Sequence, residues 1–320
     1  MLKKIMNQSF SVGILKLAYR LPKSCLSLDK IQKNKLLNSS TETLSGFGFS
    51  TCFISNDRDE MINLIIDSAK EVLADIDTNE LDSIIFYSGI EYTEEYKKSN
   101  SVMDLFTYVS SEVLYKLNLK NIPNYTLSQK GCSGMFSSFE LADKLLKQSS
   151  KKYILCLSAD RLPTGHSREI IYNVMSDAAS AVLIEKDGSN NKIISFNEKT
   201  NLAYWDTKEL ENEILAMYFP MAQRAINESL EKSNLTIDDI TWFVPHNVSF
   251  RSWEILSKLL KIPIDKIWTK NISRVGHTVS SDHVINISDM KQSGLLKKND
   301  KLLLFTFGFG AHWSTLITEY

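Results

Sequence analysis

The fold is decided by two similar stretches of sequence, EVLADIDTNELDSIIFYSG at residues 71–89 and ESLEKSNLTIDDITWFVPH at residues 228–246. Each reads as the end of a helix, a polar turn with acidic residues, a short apolar run and then a break. Short apolar runs that are bounded by turn signals are typical of buried strands. The repeat therefore predicts an α/β unit that occurs twice in the chain.

The segments around the repeat alternate between helical and strand patterns. Met61, Ile62, Ile65, Ala69 and Val72 recur at helical spacing, which predicts a helix over 57–76. The same criteria predict further helices over 102–118, 133–148, 209–233, 250–261 and 281–292. They predict strands over 10–22, 84–87, 125–129, 153–158, 179–185, 238–245, 301–307 and 313–319. Strands that alternate with helices indicate an α/β fold with a mostly parallel sheet.

The most polar connector lies at 186–208, and it begins Lys-Asp-Gly-Ser-Asn-Asn. We expect the boundary between the two α/β units there, which divides the chain into domains 1–190 and 191–320. The predicted nucleophile then belongs to the first domain, and the two candidate histidines and the glycine-rich turn belong to the second.

Composition excludes several classes of protein. The chain has 320 residues, 43% hydrophobic and 23% charged, with 37 Lys+Arg against 38 Asp+Glu. This balance gives no overall field for nucleic acid or an anionic membrane. No apolar run approaches the ~20 residues of a membrane span, and no signal peptide is recognisable. Four scattered cysteines without a CxxC pair and five histidines without HxxxH favour a reducing, cytoplasmic location and no metal site.

The sharpest local motif is Gly131-Cys132-Ser133-Gly134, directly before a predicted helix. Glycines on both sides allow a tight turn of the nucleophile-elbow kind. Main-chain N–H groups at a helix start favour the thiolate of Cys132. Taken alone, a small buried cysteine is the more ordinary interpretation, because buried free cysteines are common.

Three further motifs follow predicted strands or open a helix. His246 ends the second repeat in Val-Pro-His-Asn, and His277 lies in Gly-His-Thr before a run of small hydroxyl residues. Phe309 lies between two glycines in FTFGFGAHW (305–313), where main-chain N–H groups can point at an oxyanion. Each alone has an ordinary structural explanation. Together with Cys132 they make up the parts needed for acyl transfer through a thioester.

The order and spacing of these motifs resemble β-ketoacyl-ACP synthase III, a family of the thiolase superfamily. The resemblance covers roughly residues 45–320. It is clearest in GCSGMFSSFELADKLL (131–146), VPHNVSFR (244–251), NISRVGHTVSS (271–281) and FTFGFGAHW (305–313). It implies the thiolase fold, two βαβαβαββ halves in a five-layered αβαβα sandwich, and dimers paired through the sheet edge.

The resemblance also implies roles for individual residues. Cys132 accepts the acyl group, His246 and His277 complete the catalytic set, and the main-chain N–H groups of Cys132 and Phe309 form the oxyanion hole. His277 stands where the family usually has asparagine. A histidine can donate a hydrogen bond as asparagine does, but it can also carry a proton.

A second group of residues concerns the acyl donor. The family's CoA anchors are absent from Ser40–Gly46, and Arg168 lies near a further adenine-stacking arginine of the family. Arg251 matches an arginine that meets the phosphopantetheine of an acyl carrier protein. Lys258 and Lys261 extend that helix face as a basic patch, for which a solvated face is the alternative. Phe106 aligns with a phenylalanine that reaches the partner's acyl pocket, for which core packing is the alternative.

These features favour an acyl carrier protein as partner and require no cofactor beyond a phosphopantetheine thioester, on carrier or CoA, as the substrate arm. The first hypothesis for function is decarboxylative condensation of acyl-Cys132 with a malonyl-type thioester, in specialised lipid or polyketide metabolism. The second is acyl transfer to an oxygen or nitrogen acceptor without loss of CO2. The third is a subunit of a heterodimeric synthase. The sequence leaves the choice among them open.

Overall fold

The computed structural model describes residues 12–90, 101–188 and 191–320. The strands are β1 (Val12–Arg20), β2 (Ser24–Ser27), β3 (Thr51–Ile54), β4 (Leu81–Tyr87), β5 (Asn124–Leu127), β6 (Tyr153–Asp160), β7 (Glu169–Ile170), β8 (Asn173–Val174), β9 (Ala178–Lys186), β10 (Lys192–Thr200), β11 (Trp242–Pro245), β12 (Lys301–Gly308) and β13 (His312–Glu319). The helices are α1 (Leu28–Lys33), α2 (Thr41–Gly46), α3 (Arg58–Leu73), α4 (Val109–Lys116), α5 (Gly134–Gln148), α6 (Glu211–Lys232), α7 (Phe250–Leu260), α8 (Lys270–Arg274) and α9 (Asp282–Gln292).

Nine of these strands form one sheet in the order β11-β12-β13-β10-β1-β9-β6-β4-β5. The four strands from β10 onward lie on one side and the earlier five on the other. The halves join where β1 pairs antiparallel with β10, through Gly13 and Lys192. The boundary expected near residue 190 thus falls between β9 and β10, and the assignment of two domains stays a prediction.

The helices pack in layers against the two halves of the sheet. Helices α5 and α9 share one buried cluster with β4, β6, β11 and β12, so they lie between the two halves. Helix α3 covers the outer face of the first half, and α6 and α7 cover the outer face of the second. This αβαβα arrangement confirms the predicted fold class.

The repeat is visible in the structure. Each copy ends a long helix, passes through a short 3₁₀ turn at Thr78–Glu80 or Ile237–Asp239, and enters a buried strand, β4 or β11. In each half that strand pairs in parallel with a longer neighbour, β6 or β12. The similarity of the two stretches therefore reflects equivalent positions in the two halves.

The prediction of a mostly parallel sheet is wrong. Among the described residues the nine-stranded sheet has three parallel pairings, β4–β5, β4–β6 and β11–β12, and the other five are antiparallel. The cause is that several strands return without a crossover helix. The clearest case is β13, which follows β12 after the three residues 309–311, and a short connection of this kind joins antiparallel strands.

Two predictions of local secondary structure also differ from the structure. The polar connector at 186–208 contains β10, which pairs with β13 over its whole length. Its sequence KIISFNEKT mixes charged, polar and apolar residues, most of them only partly buried, so the stretch lacks a strong apolar signal. The helix predicted over 102–118 is a 3₁₀ segment, Val102–Phe106, followed by α4. No helix among the described residues is long and apolar enough to cross a membrane.

Candidate active site

The Gly-Cys-Ser-Gly motif forms a 3₁₀ turn, Gly131–Ser133, that runs directly into α5. Gly131 has a φ of +50°, and a Cβ there would lie 2.6 Å from the main-chain nitrogen of Phe309. A Cβ on Gly308 would lie 2.1 Å from the carbonyl oxygen of Lys130. The cysteine turn and the Gly308–Gly310 turn therefore pack backbone against backbone, which only glycine at these positions permits.

Cys132, His277 and Asp282 form a hydrogen-bonded triad. Cys132 is 6% exposed, and its Sγ lies 3.2 Å from His277 Nε2. His277 Nδ1 lies 2.5 Å from Oδ2 of Asp282, which is fully buried in the first turn of α9. A nucleophile, a base and a carboxylate that orients the base are the elements of nucleophilic catalysis.

Asp282 is held by donors from two different loops. Its Oδ1 accepts the main-chain N–H and the hydroxyl of Thr278, both at 2.7 Å. Its Oδ2 accepts the main-chain N–H of Asn247 at 2.6 Å. The carboxylate thus links the loop that carries His277 to the loop that follows His246, and it fixes the orientation of the His277 ring.

The charges of the triad reinforce one another. Burial lowers the pKa of His277, but the neighbouring charges of Asp282 and Cys132 outweigh it and raise the pKa well above 6.5. Burial raises the pKa of Asp282, while the charge and hydrogen bond of His277 lower it, with a result of about 2. The buried carboxylate of Asp282 therefore favours the protonated form of His277, whose Nε2 faces the Sγ of Cys132.

His246 is close to the triad but bonded differently. It follows β11, and its ring lies 5.9 Å from that of His277. Its Nδ1 lies 3.2 Å from the carbonyl oxygen of Phe305, and its Nε2 lies 3.4 Å from the hydroxyl of Tyr218. Because a carbonyl can only accept, Nδ1 carries the proton and Nε2 accepts from Tyr218. Burial and the neighbouring charges of His277 and His283 keep the pKa of His246 well below 6.5.

Cys132, His246 and His277 open into one cavity of about 210 Å³. Most of its wall is apolar or aromatic, and it comes from the β7–β8 hairpin, α6, the first turns of α7 and the end of β12. The remaining lining residues are Phe47, Ile170, Ile171, Tyr172, Asn173, Ile214, Leu215, Tyr218, Phe219, Val248, Ser249, Arg251, Ser252, Ile255, Phe307 and Phe309. Arg251 is the one Lys, Arg, Asp or Glu among them.

Of the three basic residues predicted to bind the acyl carrier, Arg251 alone lines the cavity of Cys132. Arg251 lies at the mouth of the cavity, 59% exposed and 3.0 Å from Glu254. Lys258 is exposed on α7 outside the cavity. Lys261 does not continue that helix face, because it caps the helix in the left-handed conformation and lines a separate cleft with Gln223.

The structure also shows where the other two predicted ligand contacts, Phe106 and Arg168, lie. Phe106 is 60% exposed and lies outside the cavity of its own chain, so core packing is excluded and the contact with a partner's acyl pocket stays a prediction. Arg168 is 3% exposed and its guanidinium lies 2.5 Å from Asp177. It is therefore committed to a buried ion pair rather than presented to a nucleotide.

The sequence motifs did not reveal the roles of Asp282 and Tyr218. An acidic residue five positions after His277, in the first turn of a predicted helix, was a usable signal for Asp282. Tyr218 had none, because it lies 28 residues before His246 on a different element. Within residues 12–90, 101–188 and 191–320, no group of three or more His, Cys, Asp or Glu side chains is placed to hold a metal ion.

The chain is similar to known proteins over nearly its whole length. A family model described as 3-oxoacyl-[acyl-carrier-protein] synthase III matches residues 128–201, and the model of that family's C-terminal part matches 230–320. A β-ketoacyl-[acyl-carrier-protein] synthase III of Rickettsia bellii is 23% identical over 94% of this chain and 96% of its own.

Solved structures show the same fold. The synthase III of Aquifex aeolicus VF5 superposes with a TM-score of 0.79 at 21% identity, over 97% of this chain and all of that one. ChlB3, described as an acyltransferase, superposes with a TM-score of 0.81 at 17% identity, over 97% of both chains.

Fold and family together define the class of acyl-transferring enzymes built on the thiolase fold. Within that class, the two family models cover just over half of the chain, one in each half of the molecule. The chain belongs to the 3-oxoacyl-[acyl-carrier-protein] synthase III family.

Proposed function

We propose that this protein is an acyltransferase that carries an acyl group on Cys132 and passes it to an oxygen or nitrogen nucleophile without decarboxylation. The observation that carries the proposal is the triad, in which Cys132 Sγ lies 3.2 Å from His277 Nε2 and Asp282 holds the opposite ring nitrogen. A histidine held in this way can give and take a proton. The asparagine usual in the family cannot.

The first half-reaction starts from the Cys132 thiolate and protonated His277. The thiolate attacks the carbonyl carbon of a donor thioester, and the main-chain N–H groups of Cys132 and Phe309 receive the oxyanion. The intermediate collapses and breaks the donor's C–S bond. The departing thiolate takes the proton from His277 Nε2, which leaves acyl-Cys132 and a neutral His277.

The second half-reaction uses that neutral histidine as a base. The acceptor O–H or N–H attacks the acyl carbon while His277 Nε2 takes its proton. Collapse of this intermediate forms an ester or an amide and releases the Cys132 thiolate. The imidazolium is restored beside it, and Asp282 stabilises the positive charge in both half-reactions.

His246 supports acyl transfer over condensation. Decarboxylation of a malonyl thioester is helped by hydrogen bonds donated to the enolate oxygen. His246 already donates from Nδ1 to Phe305, and its Nε2 accepts from Tyr218. With a lowered pKa it has no second proton to offer, which leaves His277 as the single imidazole donor.

Decarboxylative condensation is the second candidate. It is favoured by one observation, that both histidines line the cavity of Cys132. The fold does not choose between the two reactions, because it occurs both in synthase III enzymes and in ChlB3, described as an acyltransferase.

The test is the intact mass of the protein after incubation with acyl-carrier and acyl-CoA thioesters, followed by malonyl-carrier or a panel of alcohols and amines. Acyl transfer predicts a mass gain on Cys132, no CO2 from malonyl-carrier, and an ester or amide product. The variant His277→Gln should lose loading and the variant His246→Gln should retain it within about tenfold. Release of CO2 that requires both histidines would establish condensation instead.

We place the acyl donor on a carrier protein in specialised lipid or polyketide metabolism. Arg251 at the mouth of the cavity, with Lys258 beyond it, supplies positive charge for an acidic carrier. The phosphopantetheine arm then enters the apolar cavity toward Cys132. A homodimer is the proposed assembly, and a heterodimer with a similar chain is the alternative that gel filtration of the isolated chain tests.

A further inference from the structure

A charged cluster lies directly behind the cysteine turn. Lys130 precedes Gly131, and its Nζ lies 2.6 Å from Glu198 Oε1 on β10 and 3.3 Å from His312 Nδ1 on β13. His312 Nδ1 also lies 2.9 Å from the Thr200 hydroxyl, and Ser314 donates to the second oxygen of Glu198 at 3.0 Å. The cluster joins the first half of the molecule to two strands of the second.

The cluster is well shielded from water and firmly held. The side chains of Lys130 and Glu198 are 24% and 19% exposed, and that of His312 is 9% exposed. Burial alone would raise the pKa of Glu198, but its bonds with His312 and Lys130 lower it to about 2. Strands β10 and β13 are paired along their full length, so Glu198 and His312 are fixed points for the Lys130 side chain.

The same residues border the glycine-rich turn on two sides. The carbonyl oxygen of Lys130 lies 2.1 Å from the position that a Cβ on Gly308 would take. The ring of His312 lies 3.3 Å from the corresponding position on Gly310. Phe309 stands between these two glycines, and Cys132 stands two residues after Lys130.

We propose that Lys130, Glu198 and His312 are positioning residues, which hold the main-chain N–H groups of Cys132 and Phe309 at the separation that an oxyanion requires. This role rests on the proposed function, because only an acyl-thioester reaction creates that oxyanion. The two N–H groups come from different halves of the chain. Lys130 lies two residues before Cys132, and His312 lies three residues after Phe309. Their contacts with Glu198 set the distance between the two N–H groups.

The test compares two reactions of Cys132 that differ in their need for an oxyanion hole. Acylation by an acyl thioester passes through an oxyanion, whereas alkylation by iodoacetamide is a displacement at carbon that forms none. Both products are followed by intact mass. In Lys130→Met and Glu198→Gln we expect acylation to fall about 10- to 100-fold, while alkylation stays within about twofold.

Comparison of the two variants also distinguishes a positional role of the cluster from an electrostatic one. Loss of Lys130 removes a positive charge from the cluster behind the cysteine turn, and loss of Glu198 removes a negative one. A purely electrostatic influence on Cys132 would therefore move the two variants in opposite directions, whereas a positional role lowers acylation in both. The variant Lys130→Arg should restore most of the rate, because it keeps the ion pair.

The matched control is Lys199→Met, which removes a neighbouring ion pair from β10 to Glu228 on α6, 2.5 Å long and of similar exposure. It should leave both reactions unchanged. Equal acylation of Lys130→Met and the wild type, a parallel loss of both reactions, or opposite shifts in the two cluster variants would each overturn the role. A wild-type protein that no thioester acylates would overturn the proposed function itself.

Discussion

At the scale of single residues, Asp282 determines what His277 does. Asp282 accepts from His277 Nδ1, so the ring presents Nε2 to Cys132 at 3.2 Å. Without a carboxylate on Nδ1, the neutral ring could carry its proton on Nε2, and the nitrogen that faces Cys132 could then no longer accept a proton. The resemblance implies asparagine at the position of His277. The chemical effect of histidine there therefore depends on a second residue five positions along the chain.

The substitution Asp282→Asn should lower the rate of Cys132 acylation by roughly 10³-fold or more, because the amide neither fixes the tautomer nor stabilises the imidazolium. Stopped incubations with an acyl thioester and intact mass measure the rate. Asp289→Asn, on the same helix but paired at the surface with Arg274, is the control and should acylate normally. Near-normal acylation of Asp282→Asn would remove Asp282 from the mechanism.

The hydrogen-bonded pair of Asp282 and His277 makes the free energy of unfolding depend on pH. The folded structure lowers the pKa of Asp282 from its ordinary 3.8 to about 2. The contribution of Asp282 to the free energy of unfolding is therefore complete above pH 3.8 and is lost as the pH falls through 2. The contribution is about 2 kcal/mol. The pKa of His277 is raised above 6.5, so its contribution is complete below pH 6.5 and is lost as the pH rises through the raised value.

We therefore expect the wild type to exceed Asp282→Asn in unfolding free energy between pH 4 and 6, and this advantage to shrink toward pH 2. Urea unfolding of both proteins across that range measures the difference, in which the other carboxylates cancel. An advantage that is constant from pH 6 to pH 2 would show that Asp282 acts through packing alone.

At the scale of elements, two turns from different halves of the chain build the site. The Gly131–Ser133 turn and the turn after β12 approach so closely that their backbones leave no room for a Cβ. The catalytic geometry thus depends on the docking of α5 and β12 as well as on the side chains that they carry.

The substitution Gly308→Ala should disable acylation and destabilise the protein by about 1–3 kcal/mol, because its Cβ would lie 2.1 Å from the Lys130 carbonyl and overpacking carries such a cost. Acylation rate and thermal unfolding measure the two effects. Gly46→Ala, at the end of α2 with no atom within 4 Å of the new Cβ, should leave both unchanged. Full activity of Gly308→Ala would contradict the close docking of the turns.

At the scale of the whole molecule, strand β5 ends one side of the large sheet as far as residues 12–90, 101–188 and 191–320 describe it. Large apolar side chains are exposed in the sequence leading to it and on it, and they include Met103 at 73%, Phe106 at 60% and Tyr125 at 44%. An unpaired edge strand with apolar neighbours favours pairing with another chain. The resemblance implies dimers that pair through the sheet edge, and we propose that β5 is that edge.

Light scattering after gel filtration should therefore give a mass of roughly twice 36.4 kDa. The substitution Phe106→Lys should shift the protein toward the monomer, because it places a charge in the buried interface. Leu202→Lys, which alters a side chain of similar exposure in the second half of the chain, should not. A monomeric wild type, or equal effects of both substitutions, would rule out this edge as the interface.

The amino-acid sequence by itself determined the order of the longer helices and of most strands of the large sheet, the duplication, the cysteine turn before α5 and the identity of the family. These features depend on periodicity, on glycine positions and on short motifs, and all of them are local properties of the chain. The sequence did not predict β10, because its mixture of polar and apolar residues, mostly half-buried, resembles a loop. It also did not predict how the strands pair.

Only the tertiary structure decided which residues meet. It joined His277 to Asp282, turned His246 toward Tyr218 and Phe305, and separated Lys261 from Arg251 by ending α7 one residue earlier. Asp282 is 5 residues from His277 along the chain, and Tyr218 and Phe305 are 28 and 59 residues from His246. Because hydrogen bonds form over about 3 Å, chemistry of this kind is fixed by packing and not by spacing in the sequence.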